Sequence, residues 1–414
     1  MNNFFESYNL KSAGILPNGK QATCIFCGLF KKTRAPKIEP YGNKKAPVLI
    51  IAGSPSREEG RAGKPFKSEY GMHFRNALHK INFNIYKDAL NVFSIRCFVR
   101  KPQPHHVLCC KRKLTKLIKE VNPKVIFLLG DDALYSIIGS RLQKDLGSIH
   151  KWRGYQIPDR EFNAYICPIY HPDFVFGGTD KNQIKLLKKI LLNDFKKGVE
   201  CLDKVRPNDV FRNDEKYITY VTDDISFKTN INRIKKSKLI SFDYETTGLK
   251  PHHPDQKIIC TATAFSGINS VVWMNTPERN KEFKKILRST KIKKSAHSLM
   301  FENVWSTVHI GKVRNWLICT MNTNHILDQR NGINSLKFLV YVNFGVMNYD
   351  SEISDYLKSD TKQYGGNGIN DIEKFIKKFG EKKLMTYCGL DALYGYKLTT
   401  LQLQQIQESE DVPI

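Results

Sequence analysis

No apolar run in the 414 residues approaches the roughly 20 that a membrane-spanning helix needs. The opening Met1-Asn2-Asn3-Phe4-Phe5-Glu6 has neither the basic stretch nor the apolar core of a secretion signal. An intracellular protein with no membrane partner is therefore expected. Acid is scarce beside base: 40 Asp and Glu against 66 Lys and Arg give a formal charge of +26, which favours a polyanionic partner through counterion release, nucleic acid first. Internal repeats are absent, as is low-complexity sequence beyond short lysine clusters. Ten cysteines in a reducing compartment do not read as structural disulfides. The length predicts two or three domains, each with a substantial core.

One stretch carries the densest chemistry. Leu239-Ile240-Ser241-Phe242-Asp243-Tyr244-Glu245-Thr246-Thr247-Gly248-Leu249 is an apolar run that ends in two carboxylates one residue apart. Side chains at i and i+2 of a strand share a face, so Asp243 and Glu245 present their oxygens side by side, and Thr246-Thr247-Gly248 ends the strand in a turn. Alone, such a pair is ordinarily a solvated strand end. Its companions are Glu302, after Ala296-His297-Ser298, and the pair Tyr387 and Asp391, at i and i+4 on one helix face.

Three acidic segments in this order resemble the proofreading 3'-5' exonuclease family, in the subclass whose last motif is Tyr-x-x-x-Asp. The resemblance implies two divalent ions, Mg2+ or Mn2+, one to activate water and one to stabilise the leaving 3'-oxygen. It assigns Asp243 to bridge them, Glu245 and Asp391 to complete the tighter site, Glu302 to anchor the second ion through water, and Tyr387 to orient the attacking water. The chain departs from the family at Glu302, where Asp is usual, at Ser298, where Asn is usual, and at Cys319, where Asp is often found. Tyr217 to Val221, a short polar helix and Lys238 to Phe242 match the family's lead-in. Trp316 to Thr320, His325 to Asp328 and Ser335 to Leu339 resemble its helical middle.

The cysteines divide by spacing. Cys24-Ile25-Phe26-Cys27 has metal-ligand spacing, and by itself is compatible with zinc, redox chemistry or accident. Cys97, Cys109 and Cys110 lie far downstream, while Cys167, Cys201, Cys260, Cys319 and Cys388 read as small buried hydrophobes. Cys24 to Leu29, Ala46 to Pro55, Gly63-Lys64-Pro65-Phe66, Asn91-Val92-Phe93, Pro123 to Gly130, Trp152-Arg153-Gly154 and Tyr170-His171-Pro172 together resemble the iron-sulfur uracil-DNA glycosylases over residues 20 to 195. The resemblance implies a [4Fe-4S] cluster on Cys24, Cys27, Cys97 and Cys110, with Cys109 as the alternate ligand and a four-cysteine Zn2+ site as the alternative.

It also implies that Phe66 stacks on an extruded base, Asn91 hydrogen-bonds its edge and His171 stabilises the departing anion. Gly53 stands where the family carries its catalytic Glu, and Asp173 follows His171-Pro172 where Ser is usual. Efficient excision is therefore expected to be lost, leaving a DNA-binding shape with a base-sized pocket. Arg57, Arg61, Lys64 and Lys67 are candidate phosphate contacts, although any one of them reads equally well as a solvated loop residue.

Helical periodicity from Gln183 to Cys201, with Leu186, Leu187, Ile190, Leu191, Leu192 and Phe195 on the apolar side, closes the first domain. Val107 to Val121 reads as a helix and Val125 to Leu129 as a buried strand. The expected architecture is two α/β domains: a uracil-DNA glycosylase-like sandwich over 1–202, a linker over 203–216 and a ribonuclease H-like 3'-5' exonuclease over 217–414. This pairing resembles the N-terminal half of family A DNA polymerases from large lytic phages. One helix after Asp391 leaves no room for a polymerase, so a separate polymerase domain or subunit is expected, in the host cytoplasm for a phage-encoded chain. The expected activity is exonucleolytic shortening of single-stranded 3' DNA ends, the alternative an active uracil or modified-base glycosylase with an attached nuclease.

Overall fold

A computed structural model describes residues 22–33, 36–139, 141–142, 146–210, 213–358 and 370–410. The N-terminal Met1 to Glu6, read above as lacking a signal pattern, and the final Asp411 to Ile414 lie outside the described residues. The chain divides into two units, Met1–Arg212 with Tyr341–Gly345, and Asn213–Val340 with Val346–Ile414. Among the described residues no helix is long and apolar enough to cross a membrane.

The first unit is built on six strands: β1 (Tyr41–Gly42), β2 (Val48–Ala52), β3 (Ala89–Phe93), β4 (Val125–Leu129), β5 (Ile157–Asp159) and β6 (Ala164–Ile169), in the order β1-β3-β2-β4-β6-β5. The four central strands are parallel, with β1 and β5 antiparallel at the edges. Strands covered on both faces need continuous apolar runs, and Val48-Leu49-Ile50-Ile51-Ala52 and Val125-Ile126-Phe127-Leu128-Leu129 are buried at every position. The predicted helix near 107–121 begins earlier, spanning Pro104–Val121.

The closing helix is Lys181–Val199, and only Leu191, Asp194, Phe195 and Gly198 of it are buried. Leu186, expected on the apolar side, is 59% exposed, because only the C-terminal half of this helix turns onto the sheet. There Phe195 stacks on Phe127 with centroids 4.2 Å apart, and at Gly198 a Cβ would meet the Phe127 ring at 2.4 Å. The segment expected as a linker contains the short helix Pro207–Val210 and a turn of 3-10 helix, Asp214–Tyr217. At its start the Arg206 guanidinium donates to the carbonyls of Pro123 and Asn163, so this stretch is tied down.

The second unit holds β7 (Ile218–Tyr220), β8 (Leu239–Thr246), β9 (Ile258–Ser266), β10 (Asn269–Met274), β11 (Lys293–Ala296) and β12 (Trp316–Cys319), in the order β12-β11-β8-β9-β10-β7. β9 runs antiparallel to β8 and β10, whereas β11 is parallel to β8 and β12 to β11. This is the mixed sheet expected of a ribonuclease H-like domain. Trp316 to Cys319, expected in a helical region, is instead the edge strand: its bulky and β-branched residues pair with β11, and helix Thr320–Leu327 begins only afterwards.

Strand period sorts β8 cleanly. Ile240, Phe242 and Tyr244 enter a core with Trp273, Phe283 and Trp305, so Ser241, Asp243 and Glu245 face the other side. That side is covered by the 30-residue helix Glu381–Glu410. Two glycines let this helix lie close to the sheet: a Cβ at Gly389 would fall 2.9 Å from Ile218, and one at Gly395 would fall 2.6 Å from the Ser241 hydroxyl. Ser270 Oγ donates to the Gly389 carbonyl at 2.9 Å, holding the approach next to the Tyr387 to Asp391 turn.

Candidate functional site

Because Asp243 and Glu245 share the helix-facing side of β8, their carboxylates lie beside the Cys388 thiol, with one ligand atom from each of the three within 4.8 Å of the others. The Cys388 Sγ donates to the Asp243 carbonyl at 3.5 Å. One turn along, Asp391 accepts from Tyr349 Oη at 2.6 Å and from Lys337 Nζ at 2.5 and 2.7 Å, and its charge bears on the Tyr387 phenol. Glu302, in helix Leu299–His309, is 3% exposed, and its Oε2 has no hydrogen-bond partner among the described residues. Its charge is felt at short range by Asp243 and Asp391. Asp243, Glu245, Glu302, Tyr387 and Asp391, separated by nearly 150 positions, thus meet at one place.

Electrostatics there are unfavourable for the protein alone. Burial, reinforced by the neighbouring carboxylates, raises the pKa values of Asp243, Glu245 and Glu302 well above the usual range. Burial likewise raises the Tyr387 phenol. Four carboxylates face one ammonium, Lys337, whose Nζ also lies 4.0 Å from the Tyr349 ring centre and 4.2 Å from that of Tyr387. Nearby His297 is pushed down to about 4, first by burial and then by Lys337, and shares a 2.9 Å hydrogen bond with Thr320. Hard oxygen donors with an orphaned buried carboxylate oxygen suit Mg2+ or Mn2+. As residues of the site, Lys337, Tyr349 and Cys388 escaped the sequence reading. Lys337 sits in the quoted Ser335 to Leu339 segment, but nothing in its spacing marks it as facing the acids.

In the first unit, Cys24, Cys27, Cys97, Cys109 and Cys110 all line one cavity, together with Lys37 and Arg96. The Lys37 amide donates to Cys97 Sγ at 3.3 Å. A hydrogen bond from Cys109 draws the Cys27 thiol down to about 6 and raises that of Cys109, while burial pushes Cys110 up to about 11. A tetrahedral zinc site needs four sulfurs roughly 3.8 Å apart. Thiols gathered at one cavity are donors that suit a four-cysteine zinc site and an iron-sulfur cluster alike. The choice between Cys109 and Cys110 stays open, since both reach the cavity. Cys167, Cys201, Cys260 and Cys388 are buried as expected of small hydrophobes, and Cys319 is partly so.

A second cavity, of about 590 Å3, opens at the C-terminal ends of β2, β4 and β6, and His171 is in its wall. Phe66 and Asn91 are not. Phe66 is 2% exposed with φ +57°, its amide donating to Glu59 Oε1 at 2.5 Å and its ring packed on Phe74. Asn91 lies mid-strand, fully buried, and its Nδ2 donates to the carbonyls of Tyr41 and Ile85 at 3.0 and 2.7 Å, tying β1 to β3. Its position two residues before the end of β3 explains why it cannot reach the cavity. Arg57, Arg61, Lys64 and Lys67 are all exposed, with Lys64 Nζ 5.0 Å from the Tyr41 ring centre. Arg100 and Lys101, which the sequence reading passed over, line the cavity itself.

Comparison with known proteins divides the chain at the same place. Residues 39–195 match the uracil DNA glycosylase superfamily, and residues 218–406 match a 3'-5' exonuclease family. The type-4 uracil-DNA glycosylase of Saccharolobus solfataricus is 27% identical over 184 residues, 43% of this chain and 82% of that protein. Its counterpart in Thermotoga maritima is 27% identical over 185 residues, 44% of this chain and 90% of that protein. Among solved structures, Escherichia coli RNase D, an exoribonuclease, aligns with 16% identity and a TM-score of 0.35, covering 47% of each chain. Brucella melitensis NrnC with bound Mg2+ aligns with 16% identity and a TM-score of 0.34, over 47% of this chain and 81% of its own. The chain thus joins a domain of the uracil-DNA glycosylase superfamily to a 3'-5' exonuclease domain.

Proposed function

We propose that the second unit removes nucleotides one at a time from single-stranded 3' DNA ends in a metal-dependent reaction, and that the first unit holds the protein on DNA. The observation that carries this reading is the meeting of four carboxylates, three buried and Asp243 half-buried, with Lys337 the one ammonium set against them among the described residues. Asp243, Glu245 and Asp391 would hold divalent ions, with Glu302 farther out. Bound there, Mg2+ or Mn2+ supplies an activated water and stabilises the leaving oxygen. Tyr387, through its hydroxyl, orients the water. The basic surface draws in the strand. In this reading the chain is the proofreading portion of a phage DNA replication polymerase, acting in the host cytoplasm with a polymerase domain or subunit. Cys24, Cys27, Cys97 and Cys110 would hold a [4Fe-4S] cluster that braces the first unit.

Three outcomes are expected. Asp243→Ala should slow Mg2+-dependent shortening of a 5'-labelled single strand by at least about 10²-fold; unaltered shortening on a sequencing gel contradicts the assignment. In metal-free protein, Asp243 is raised by folding, so its contribution to stability is present when it is protonated and lost as pH rises. Asp243→Asn mimics the protonated group, and its melting-temperature advantage over the parent should grow from about pH 5 to about pH 8 and shrink when Mg2+ is added; a pH-independent difference would count against the buried-charge account. Purified anaerobically, the protein should be brown with about four iron per chain and lose both on Cys97→Ser, whereas colourless protein carrying zinc reverses the cluster assignment.

A further inference from the structure

Cys388 is fully buried in helix Glu381–Glu410, where a small side chain fills the space against β8. Its sulfur sits among oxygens. Sγ lies 3.5 Å from the Asp243 carbonyl oxygen and 3.8 Å from Asp243 Oδ2, and one ligand atom from each of Asp243, Glu245 and Cys388 falls within 4.8 Å of the other two. Backbone geometry fixes the sulfur there. Strand period turns both carboxylates toward the helix, and Gly389, next to Cys388, brings the helix onto the sheet, since a Cβ on it would meet Ile218 at 2.9 Å.

A tetrahedral ion with one sulfur ligand at about 2.3 Å and one oxygen ligand at about 2.1 Å holds the two about 3.6 Å apart. The 3.8 Å between Cys388 Sγ and Asp243 Oδ2 is close to that spacing. A second observation points to a cation. Glu302 Oε2 is without a hydrogen-bond partner among the described residues on a side chain 3% exposed, and of the neighbouring charges that of Asp243 weighs on it most. Another sulfur supports the first: Cys260, across from Glu245 in the pairing of β8 with β9, bears on the Cys388 thiol. A thiol so placed can donate to a Cys388 thiolate, as outer partners do for ligands bound to a metal.

Hard and soft ions part company at such a site. Mg2+ takes oxygen ligands and gains nothing from sulfur, whereas Zn2+ and Cd2+ gain most from thiolate. We propose that Cys388 sets the ion preference of the exonuclease site: its sulfur joins Asp243 and Glu245 as a third ligand for a thiophilic divalent ion, Zn2+ above all, which displaces Mg2+ or Mn2+. The proposal rests on the reading of these carboxylates as the exonuclease's metal ligands, and adds a sulfur to a set that there consists of oxygens alone. As the sulfur–zinc bond forms, the thiol proton passes to solvent and the hydrogen bond to the Asp243 carbonyl is given up. No electrons are transferred.

The test uses the full chain and Mn2+, whose electron paramagnetic resonance signal fades on binding and returns on release. Comparison with Asp243→Ala identifies the Mn2+ held at this site. Zn2+ is then titrated against it in the parent and in Cys388→Ser, which keeps the size and the hydrogen-bond donor but offers oxygen for sulfur. Zn2+ outbinds Mn2+ at most sites, so the difference between the two proteins decides. The first-unit cysteines take the same share of zinc in both. The ratio of Zn2+ to Mn2+ affinity should be at least about 10²-fold lower in Cys388→Ser, and Co2+ should give the parent a sulfur-to-metal charge-transfer band in excess of that of the variant. Cys388→Ala, checked for folding by circular dichroism, repeats the comparison with no ligand at the position. Bound Mn2+ with an unaltered ratio and no excess band overturns the proposal alone. Mn2+ binding that is the same in the parent and Asp243→Ala overturns the underlying reading as well.

Discussion

Mutual repulsion among buried and half-buried carboxylates is the constraint on which the second unit's arrangement turns. Asp243 and Glu245 are fixed by strand period, Asp391 by a helix held down through Gly389 and Gly395, and Glu302 by a third element, leaving none of them free to escape the others. A fold that concentrates negative charge out of water bears a cost that hydrophobic contacts alone do not remove, and it persists where a cation restores the balance. Lys337 does part of this by taking both oxygens of Asp391. It neutralises one carboxylate of four. The remainder is the physical reason to expect divalent ions.

Much of this was legible in the sequence because the relevant periods are short. Alternation along β8 separates Phe242 and Tyr244 from Asp243 and Glu245 without reference to the rest of the chain, and the i, i+4 spacing of Tyr387 and Asp391 does the same on a helix. Lys337 and Tyr349 were not legible, since their place depends on how their segments lie over the site. Cys388 was read as a buried hydrophobe, which it is, yet the turn that carries Tyr387 and Asp391 also sets its sulfur against Asp243. At Trp316 to Cys319 the resemblance pointed to a helical region, but pairing with β11 settled the backbone as strand.

The first unit shows the same division between local pattern and tertiary placement. One of its parallel strands, Val125 to Leu129, was evident as an unbroken apolar run, and the cysteines grouped by spacing do line one cavity. Asn91 and Phe66 were assigned to a base pocket by resemblance, whereas their hydrogen bonds hold an edge strand and a loop.

Anomalous diffraction from crystals grown with Mn2+ and a short single strand bears most directly on the central claim. The account predicts manganese peaks against Asp243, Glu245 and Asp391, with the Lys337 ammonium displaced from the Asp391 carboxylate. An absence of manganese at the acids, with Lys337 still seated on Asp391 at saturating ion, would contradict it.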